Sequence, residues 1–390
     1  MIKIDNWTSK PDCARLLELL DICALDLLER STAKSPAWNI EHARSGAESK
    51  WNYMDGLMIS AYLSLWRWTG KPLFAEFSER FVSEFVTPGG EIATYVPGEK
   101  NLDNISPGRN LAALYELTGE RKYLRAAERL RAQLDQQPRL KCGSFWHKLI
   151  YPCQVWLDGL YMAQPFYMAH DAARGCEKGC RDSFAQFENA RLLMKDSDGL
   201  YRHGFDESRL MGWADPVTGL SSCVWLRAVG WLLAGLADTL EASPEEFSKE
   251  RKSLSQMLQE LVDAMLPWQT PEGMFLQVIN KPGIRGNYPE TSGTALYAYA
   301  VLKSARLKFL PKRYAASAEK ALIGTLERYL KGSELGGICL VAGLGGPKRR
   351  DGSESYYLSE PVVSGEAKGV GAAMLARSEL MAYALSTGAV

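Results

Sequence analysis

The chain has few histidines, no excess of charge of either sign and no long apolar run. Lys plus Arg and Asp plus Glu number 46 each among 390 residues, so the formal net charge is zero. Balanced charge gives no electrostatic reason to expect a nucleic acid or an anionic membrane as a partner. No apolar run approaches the length of a membrane span, and the first residues lack the basic and apolar segments of a secretory signal. We therefore expect a cytoplasmic protein without nucleic-acid or membrane partners.

The eight cysteines also lack the spacing of a metal site or a disulfide framework. Only Cys176 and Cys180 lie close together, and no histidine or further cysteine follows at ligand spacing. The glycine-rich segment Gly343–Gly346 is followed by basic residues at 348–350, but it lacks the Lys-Ser/Thr pair of a phosphate-binding loop. We expect reduced thiols, a solvated basic loop, no metal ion and no cofactor.

Helical periodicity, by contrast, covers most of the chain. Apolar residues at helical spacing predict twelve helices. These lie near residues 11–30, 53–69, 72–86, 105–118, 121–135, 157–174, 181–194, 223–241, 245–266, 291–308, 312–330 and 366–386. Short turns with Gly or Pro join them in pairs whose second helix starts with an aromatic residue, as at Trp68–Phe74 and Leu117–Tyr123.

Six such hairpins predict a closed ring, an all-α (α/α)6 barrel formed by one domain over residues 1–390. A few short strands are expected in its loops, at Gly199–His203, Met274–Ile279 and Ile338–Val341. An open helical solenoid is the alternative, and the absence of polar terminal caps disfavours it.

The links between hairpins are long, and they are expected to build the mouth of the barrel. They span about 87–104, 136–156, 195–222, 267–290 and 331–365, whereas the turns within hairpins are tight. In an up-and-down ring the long links share one end. Loops on a rigid scaffold commonly carry binding and catalytic residues, so we expect the functional site at that end.

One carboxylate, Asp158, lies in the aromatic stretch Tyr151–Phe166. Loss of hydration there should raise its pKa and allow it to act as a general acid. The alternative is a residue of the first helical turn or a cap. A second carboxylate, Asp103, precedes the fourth predicted helix and is likewise an N-cap candidate or a partner in proton transfer.

Two of the four histidines, His147 and His203, fall in the long links, which favours a polar site with titratable groups. Arg227 lies between Trp225 and Trp231 in sequence. It could bind a carboxylate while an indole supports a sugar face, or its stem could pack over the aromatic rings.

Five motifs together resemble the unsaturated rhamnogalacturonyl hydrolases, glycoside hydrolase family 105, in order and over nearly the whole chain. They are Phe145–Lys148, Trp156–Ala163, His203–Ser208, Trp213–Pro216 and Val341–Gly346. The resemblance implies an (α/α)6 barrel that hydrates the double bond of a 4,5-unsaturated uronic acid. Asp158 would protonate C4, positive charge would develop at C5, and water would add there. The hemiketal so formed would open and release the aglycone.

The resemblance also implies roles for the remaining residues. Asp103 would be the second acidic residue, which orients sugar or water. The terminal uronate would be lined by His147, His203, Arg227, Tyr53, Trp225 and Trp231.

Three positions depart from the family's usual pattern: Leu226 replaces Gly, Phe205 replaces Trp and Asp55 replaces Gln. We expect Leu226 to narrow or reshape the pocket and so to affect the choice of aglycone more than the chemistry.

The sequence thus predicts a hydrolase of unsaturated galacturonyl-rhamnose fragments from pectin, with a small saccharide as its partner and a monomeric or weakly dimeric state. One alternative is the same chemistry on an unsaturated glucuronyl saccharide. A second is a sugar 2-epimerase on the same toroid, and a third is a non-catalytic sugar-binding barrel.

Overall fold

The computed structural model describes residues 11–346 and 350–388, and most of them are helical. The α-helices of this part of the chain are α1 Pro11–Glu29, α2 Ile40–Ser45, α3 Tyr53–Thr69, α4 Pro72–Ser83, α5 Leu111–Thr118, α6 Lys122–Asp135, α7 Leu157–Ala172, α8 Glu177–Met194, α9 Leu226–Ala242, α10 Ser248–Met265, α11 Thr291–Arg306, α12 Ala315–Tyr329, α13 Glu354–Ser359 and α14 Ala367–Thr387. Short 3-10 helices lie at Pro97–Glu99, Leu102–Asn104, Ser106–Asn110, Leu266–Trp268 and Lys312–Tyr314.

Six short strands form three antiparallel pairs in the links. They are β1 Gln154–Trp156, β2 Gly204–Asp206, β3 Leu330–Lys331, β4 Glu334–Leu335, β5 Ile338–Cys339 and β6 Val362–Val363. The pairs are β1 with β2, β3 with β4, and β5 with β6. In the first pair Trp156 lies opposite Gly204. This pairing joins the link before α7 to the link after α8.

An inner ring of helices is closed by sequential packing. Helix α3 packs on the Ser106–Asn110 turn that leads into α5, this turn on α7, and then α7 on α9, α9 on α11, α11 on α14 and α14 back on α3. The outer helices α4, α6, α8, α10 and α12 each pack on the inner helix that precedes them. Helix α1 contacts α12 and α14, so the sixth pair combines the first and last helices of the described chain.

Local sequence explains where the helices of the hairpins end and begin. Gly70 and Gly119 end α3 and α5 in left-handed conformations, with φ of 69° and 72°, which cost glycine little. Pro72 opens α4 in the first turn, where its missing N–H costs no hydrogen bond. Inner helices such as α9 and α11 are buried on nearly every side, whereas outer helices such as α6 bury one face.

The expected all-α (α/α)6 barrel is confirmed, and a helix occurs at each of the twelve predicted places. Helix α5 starts later than predicted, because the Ser106–Asn110 segment with its Pro and Gly forms a 3-10 turn. Helices α2 and α13 were missed because six residues are too few to show periodicity. A single domain over residues 1–390 stays a prediction.

Of the expected strands, Ile338–Val341 contains β5. Gly199–His203 and Met274–Ile279 form only isolated bridges, such as Lys195 with Tyr201 and Leu276 with Pro289. The basic residues at 348 and 349 lie outside the described residues. Within residues 11–346 and 350–388, every helix is too short or too polar to span a membrane.

Candidate active site

All the inner helices run in the same direction and start at the mouth. The first residues of α3, α7 and α9 are Tyr53, Leu157 and Leu226, and the candidate site residues cluster at these starts. At the start of α11 the side chain of Glu290 accepts a hydrogen bond from Gly293 N, and at the start of α14 that of Glu366 accepts one from Lys368 N. The positive ends of the helix dipoles therefore lie at the mouth and favour an anionic ligand there.

Asp158 and His203 meet because β1 and β2 pair. Asp158 follows β1 in the first turn of α7, and His203 immediately precedes β2. His203 Nε2 lies 3.1 Å from Asp158 Oδ2, and the His203 side chain is completely buried. Within the described residues neither atom has a well-aligned hydrogen bond. Asp158 Oδ2 therefore lies beside His203 in the first turn of α7.

The pKa of Asp158 differs from the sequence expectation. Burial raises it, but the charge interaction and contact with His203, with a contribution from His147, hold the pKa below its ordinary value. The expectation of a raised pKa was therefore wrong for the protein without substrate. Aromatic neighbours are visible in the local sequence, whereas the decisive histidine lies 45 positions further along the chain.

Asp103 carries an ion pair at the mouth. Asn101 caps its short 3-10 helix by accepting a hydrogen bond from Asp103 N at 3.0 Å, so the Asp103 carboxylate is not the cap. Lys148 Nζ lies 2.5 Å from Asp103 Oδ2. Burial disfavours the charged ammonium, but Asp103 outweighs it and raises the pKa of Lys148.

His147 lies between the two carboxylates. Its Nε2 is 3.6 Å from Asp103 Oδ1, and the charges of both Asp103 and Asp158 act on it. Burial nevertheless lowers the pKa of His147 to about 4. The ring stacks on Trp156 at 4.6 Å, and its buried Nδ1 lacks a hydrogen-bond partner in the described part of the chain. His147 is therefore neutral near pH 7.

Aromatic rings form the walls around this cluster. Trp225 lies 4.8 Å from the His203 ring and stacks on Tyr357 at 5.7 Å. Tyr53 meets Trp231 edge to face at 6.3 Å. Trp225 and Trp231 are each 1% exposed, so they support the site from behind, whereas Tyr53 is half-buried.

Arg227 is occupied by protein groups. Its Nε donates to Ser292 Oγ at 2.7 Å, its Nη2 donates to the Cys339 carbonyl, and Nη2 lies 3.6 Å from Glu290 Oε1. Burial by itself would lower the pKa of the Arg227 guanidinium, but the neighbouring anionic groups outweigh burial and raise this pKa. These contacts suit a residue that braces the starts of α9 and α11 more than one that binds a ligand's carboxylate.

Leu226 has no exposed surface with which to narrow the site directly, and an indirect effect on the shape of the site stays a prediction. It is completely buried, and its Cγ occupies the space beside Gly293 of α11. Asp55 is also internal, because it accepts hydrogen bonds from Trp38 Nε1 at 2.8 Å and from Ser49 Oγ at 2.7 Å. Burial raises the pKa of Asp55 to about 6.

Two contributors were missed from sequence. Lys148 adjoins His147 in a motif already noted, so its position beside a loop histidine was an available signal. Tyr357 lies on α13 in the last long link, and local sequence gives no sign of its contact with His203. Within the described residues, no group of three or more His, Cys, Asp or Glu side chains could hold a metal ion.

Comparison with known proteins gives concordant matches. The family model described as Glycosyl Hydrolase Family 88 matches residues 29–384. A solved structure of a glycoside hydrolase from family 105 of C. acetobutylicum has a TM-score of 0.85 at 36% identity and covers 93% of this chain and 98% of that one. A 24.9 kDa protein in the picA locus of Rhizobium radiobacter is 41% identical over 234 residues, which are 57% of this chain and 100% of that protein. The unsaturated rhamnogalacturonyl hydrolase YesR of Bacillus subtilis is 28% identical over 228 residues, 55% of this chain and 62% of YesR.

Proposed function

Because the chain belongs to the glycoside hydrolase family 88 and 105 group, we propose that it removes the 4,5-unsaturated galacturonyl residue from rhamnogalacturonan fragments. The observation that carries this proposal is the arrangement of two carboxylates at one mouth, Asp158 beside His203 and Asp103 beside Lys148. The similarity to YesR supports the galacturonyl-rhamnose preference.

Asp158 supplies the proton for C4 of the vinyl ether. In the empty site its pKa is low, but a bound uronate adds a negative charge nearby and raises that pKa. The protonated carboxyl group of Asp158, with His203 beside it, can then give its proton to C4. C5 becomes oxocarbenium-like, water adds there with loss of a proton, and the hemiketal opens to release the aglycone.

Asp103 orients the attacking water or the sugar, and His147 lines the sugar site as a neutral hydrogen-bonding group. The uronate carboxylate binds near Lys148, whose ammonium faces the mouth together with the positive ends of the inner helices. Arg227 supports this region from behind through Glu290. Tyr53 offers its half-buried ring to the sugar, with Trp231 and Trp225 behind it.

We also propose that the protein is cytoplasmic and acts on a small saccharide as a monomer or weak homodimer. The eight cysteines, scattered along the chain, agree with a reducing compartment. The zero net charge agrees with the expected absence of nucleic-acid or membrane partners.

The test is loss of ultraviolet absorbance from the conjugated double bond when the protein meets an unsaturated galacturonyl-rhamnose disaccharide. We expect a steady decline, release of rhamnose and a product that has gained one water. The unsaturated glucuronyl analogue is measured in parallel. Faster turnover of this analogue would indicate that the substrate carries an unsaturated glucuronyl residue instead of a galacturonyl residue.

Two other results would contradict the proposed reaction. A product of unchanged mass with inverted C2 stereochemistry would indicate a sugar epimerase. Saturable binding of both saccharides without any loss of absorbance would indicate a sugar-binding barrel.

A further inference from the structure

We propose that Tyr357 is a positioning residue that fixes the tautomer of His203 and thereby determines which oxygen of Asp158 carries the proton. The inference rests on the proposed role of Asp158 as the proton donor. It concerns a tyrosine from the last long link, 154 positions away from the histidine that it contacts.

Tyr357 is held rigidly against the site. Its side chain is completely buried on α13, a helix whose start is capped by Ser353 Oγ, which accepts from Tyr356 N at 3.1 Å. Its ring stacks on Trp225 with an interplanar angle of 24°. Among the described residues, its hydroxyl has one hydrogen-bond partner, His203 Nδ1, at 2.6 Å.

The two nitrogens of His203 thus face two different groups. Nδ1 meets the Tyr357 hydroxyl at 2.6 Å, and Nε2 lies 3.1 Å from Asp158 Oδ2. A neutral imidazole carries one proton, on one of its two nitrogens. Whether Nδ1 donates to Tyr357 or accepts from it therefore decides whether Nε2 accepts from Asp158 or donates to it. Burial raises the pKa of Tyr357 well above its ordinary value, so the hydroxyl keeps a proton to donate.

Donation from Tyr357 to Nδ1 places the histidine proton on Nε2, where it points at Asp158 Oδ2. A proton on the Asp158 carboxyl group then belongs on Oδ1. Oδ2 is buried, and the Asp158 side chain as a whole keeps 14% exposure. When Oδ1 gives up its proton to C4, the Nε2–H stabilises the new carboxylate. The opposite tautomer would hold the Asp158 proton on Oδ2, directed at His203 and away from the sugar.

Histidine-nitrogen NMR on the full-length protein tests this arrangement without substrate. The chain has only four histidines, and a His203→Gln sample assigns the resonances of His203. We expect Nε2 protonated and Nδ1 unprotonated in the wild-type protein. In Tyr357→Phe, which keeps the ring on Trp225, we expect a mixture of the two tautomers. A wild-type His203 protonated on Nδ1, or an unchanged tautomer in Tyr357→Phe, would overturn the inference.

Steady-state kinetics supply the second readout. Tyr357→Phe should lower kcat by about 10- to 100-fold with KM nearly unchanged, as expected when a group that orients a catalytic residue is lost. Tyr356→Phe is the matched control, because Tyr356 lies on the same helix but its hydroxyl contacts Gly343 N at 3.0 Å. It should retain wild-type kcat. A Tyr357→Phe enzyme with unchanged kcat, or with a raised KM only, would contradict a positioning role.

The two measurements separate this inference from the proposed function. Absence of turnover by the wild-type protein on both unsaturated saccharides refutes the function, whereas the tautomer of His203 is decided in the same protein without any turnover.

Discussion

The two ends of the barrel both contain buried charges, but they use them differently. At the end where the inner helices terminate, a set of side chains that we call the base cluster borders a cavity of about 230 Å³. The base cluster consists of Arg109, Asp238, Glu241, Tyr299, Lys303, Arg306 and Glu379. Asp238 there binds Arg109 at 2.9 Å, Lys303 at 2.6 Å and the Tyr299 hydroxyl at 2.6 Å. At the mouth, Asp158 Oδ2 lies 3.1 Å from His203 Nε2 without good hydrogen-bond alignment.

Helix direction accounts for part of this contrast. The carboxyl ends of the inner helices meet at the base, where cations such as Arg306 complement their negative dipole ends. Their amino ends meet at the mouth. Asp238 is fully paired, as expected of a buried carboxylate that serves stability. Asp158, the proposed proton donor, keeps an oxygen without a well-aligned hydrogen bond in the described part of the chain.

The largest contrast should come from Asp158→Asn. Asparagine keeps the shape but cannot supply a carboxyl proton, so kcat should fall about 10³-fold or more. Unfolding free energy should change by less than about 1 kcal/mol, because Oδ2 has no well-aligned bond to lose. Absorbance-based turnover and denaturant unfolding measure the two effects. Turnover near the wild-type rate would remove Asp158 from the acid role.

The same substitution at the base, Asp238→Asn, should lower the unfolding free energy and leave kcat nearly unchanged. Loss of the carboxylate leaves Arg109 and Lys303 buried without their shared counter-ion, which should cost about 3 to 5 kcal/mol of unfolding free energy. The kcat of the remaining folded protein should stay near wild type. Glu120→Gln, at an exposed carboxylate paired with Lys122, is the control and should cost less than about 1 kcal/mol. Equal costs for the two variants would refute the contrast between the ends.

His147 should make the mouth sensitive to acid. Its folded-state pKa of about 4 lies below the ordinary 6.5, so as pH falls the unfolded chain binds the proton first. The stabilisation is complete above about pH 6.5 and is lost as pH falls through about 4. Unfolding free energy should drop by about 3 kcal/mol more for wild type than for His147→Gln across this window. Parallel curves from denaturant titrations at successive pH values would contradict the burial of a neutral His147.

The smallest effect is expected from Lys148→Met. Loss of the ammonium should raise KM for the unsaturated uronate about tenfold, roughly 1.4 kcal/mol, with a smaller change in kcat. The uronate methyl ester carries no charge, so it should bind wild type and variant alike. Lys141→Met, at an exposed lysine in the same link, is the control. If KM for the acid did not change, the carboxylate would have to bind elsewhere at the mouth.

The sequence was sufficient for the ring because helical periodicity and turn residues are local properties. Gly70 and Gly119 end helices wherever they are placed in space, and long inner helices such as α7 and α9 carry enough apolar residues to be recognised. Short elements such as α13 were not recognisable, because one and a half turns contain no repeat.

The site was predictable as a set of residues but not as a set of contacts. Arg227 was expected among tryptophans, yet its partners Glu290 and Cys339 come from elements that adjoin it only in the folded ring. Likewise Asp158 meets His203 through the pairing of β1 with β2, which neither segment indicates by itself. Proton affinities depend on such contacts, so the direction of the pKa shift of Asp158 required the structure.

Helix α14 packs against α1, the first helix of the described chain, and this contact between distant segments affects how the protein folds. During synthesis α3 and α11 emerge long before α14, the helix that packs against both and closes the ring. Until then the apolar sides of these two helices lack their final neighbour, and the mouth is open on one side. Closure therefore joins segments separated by most of the chain, which makes the last step slow and exposed to aggregation.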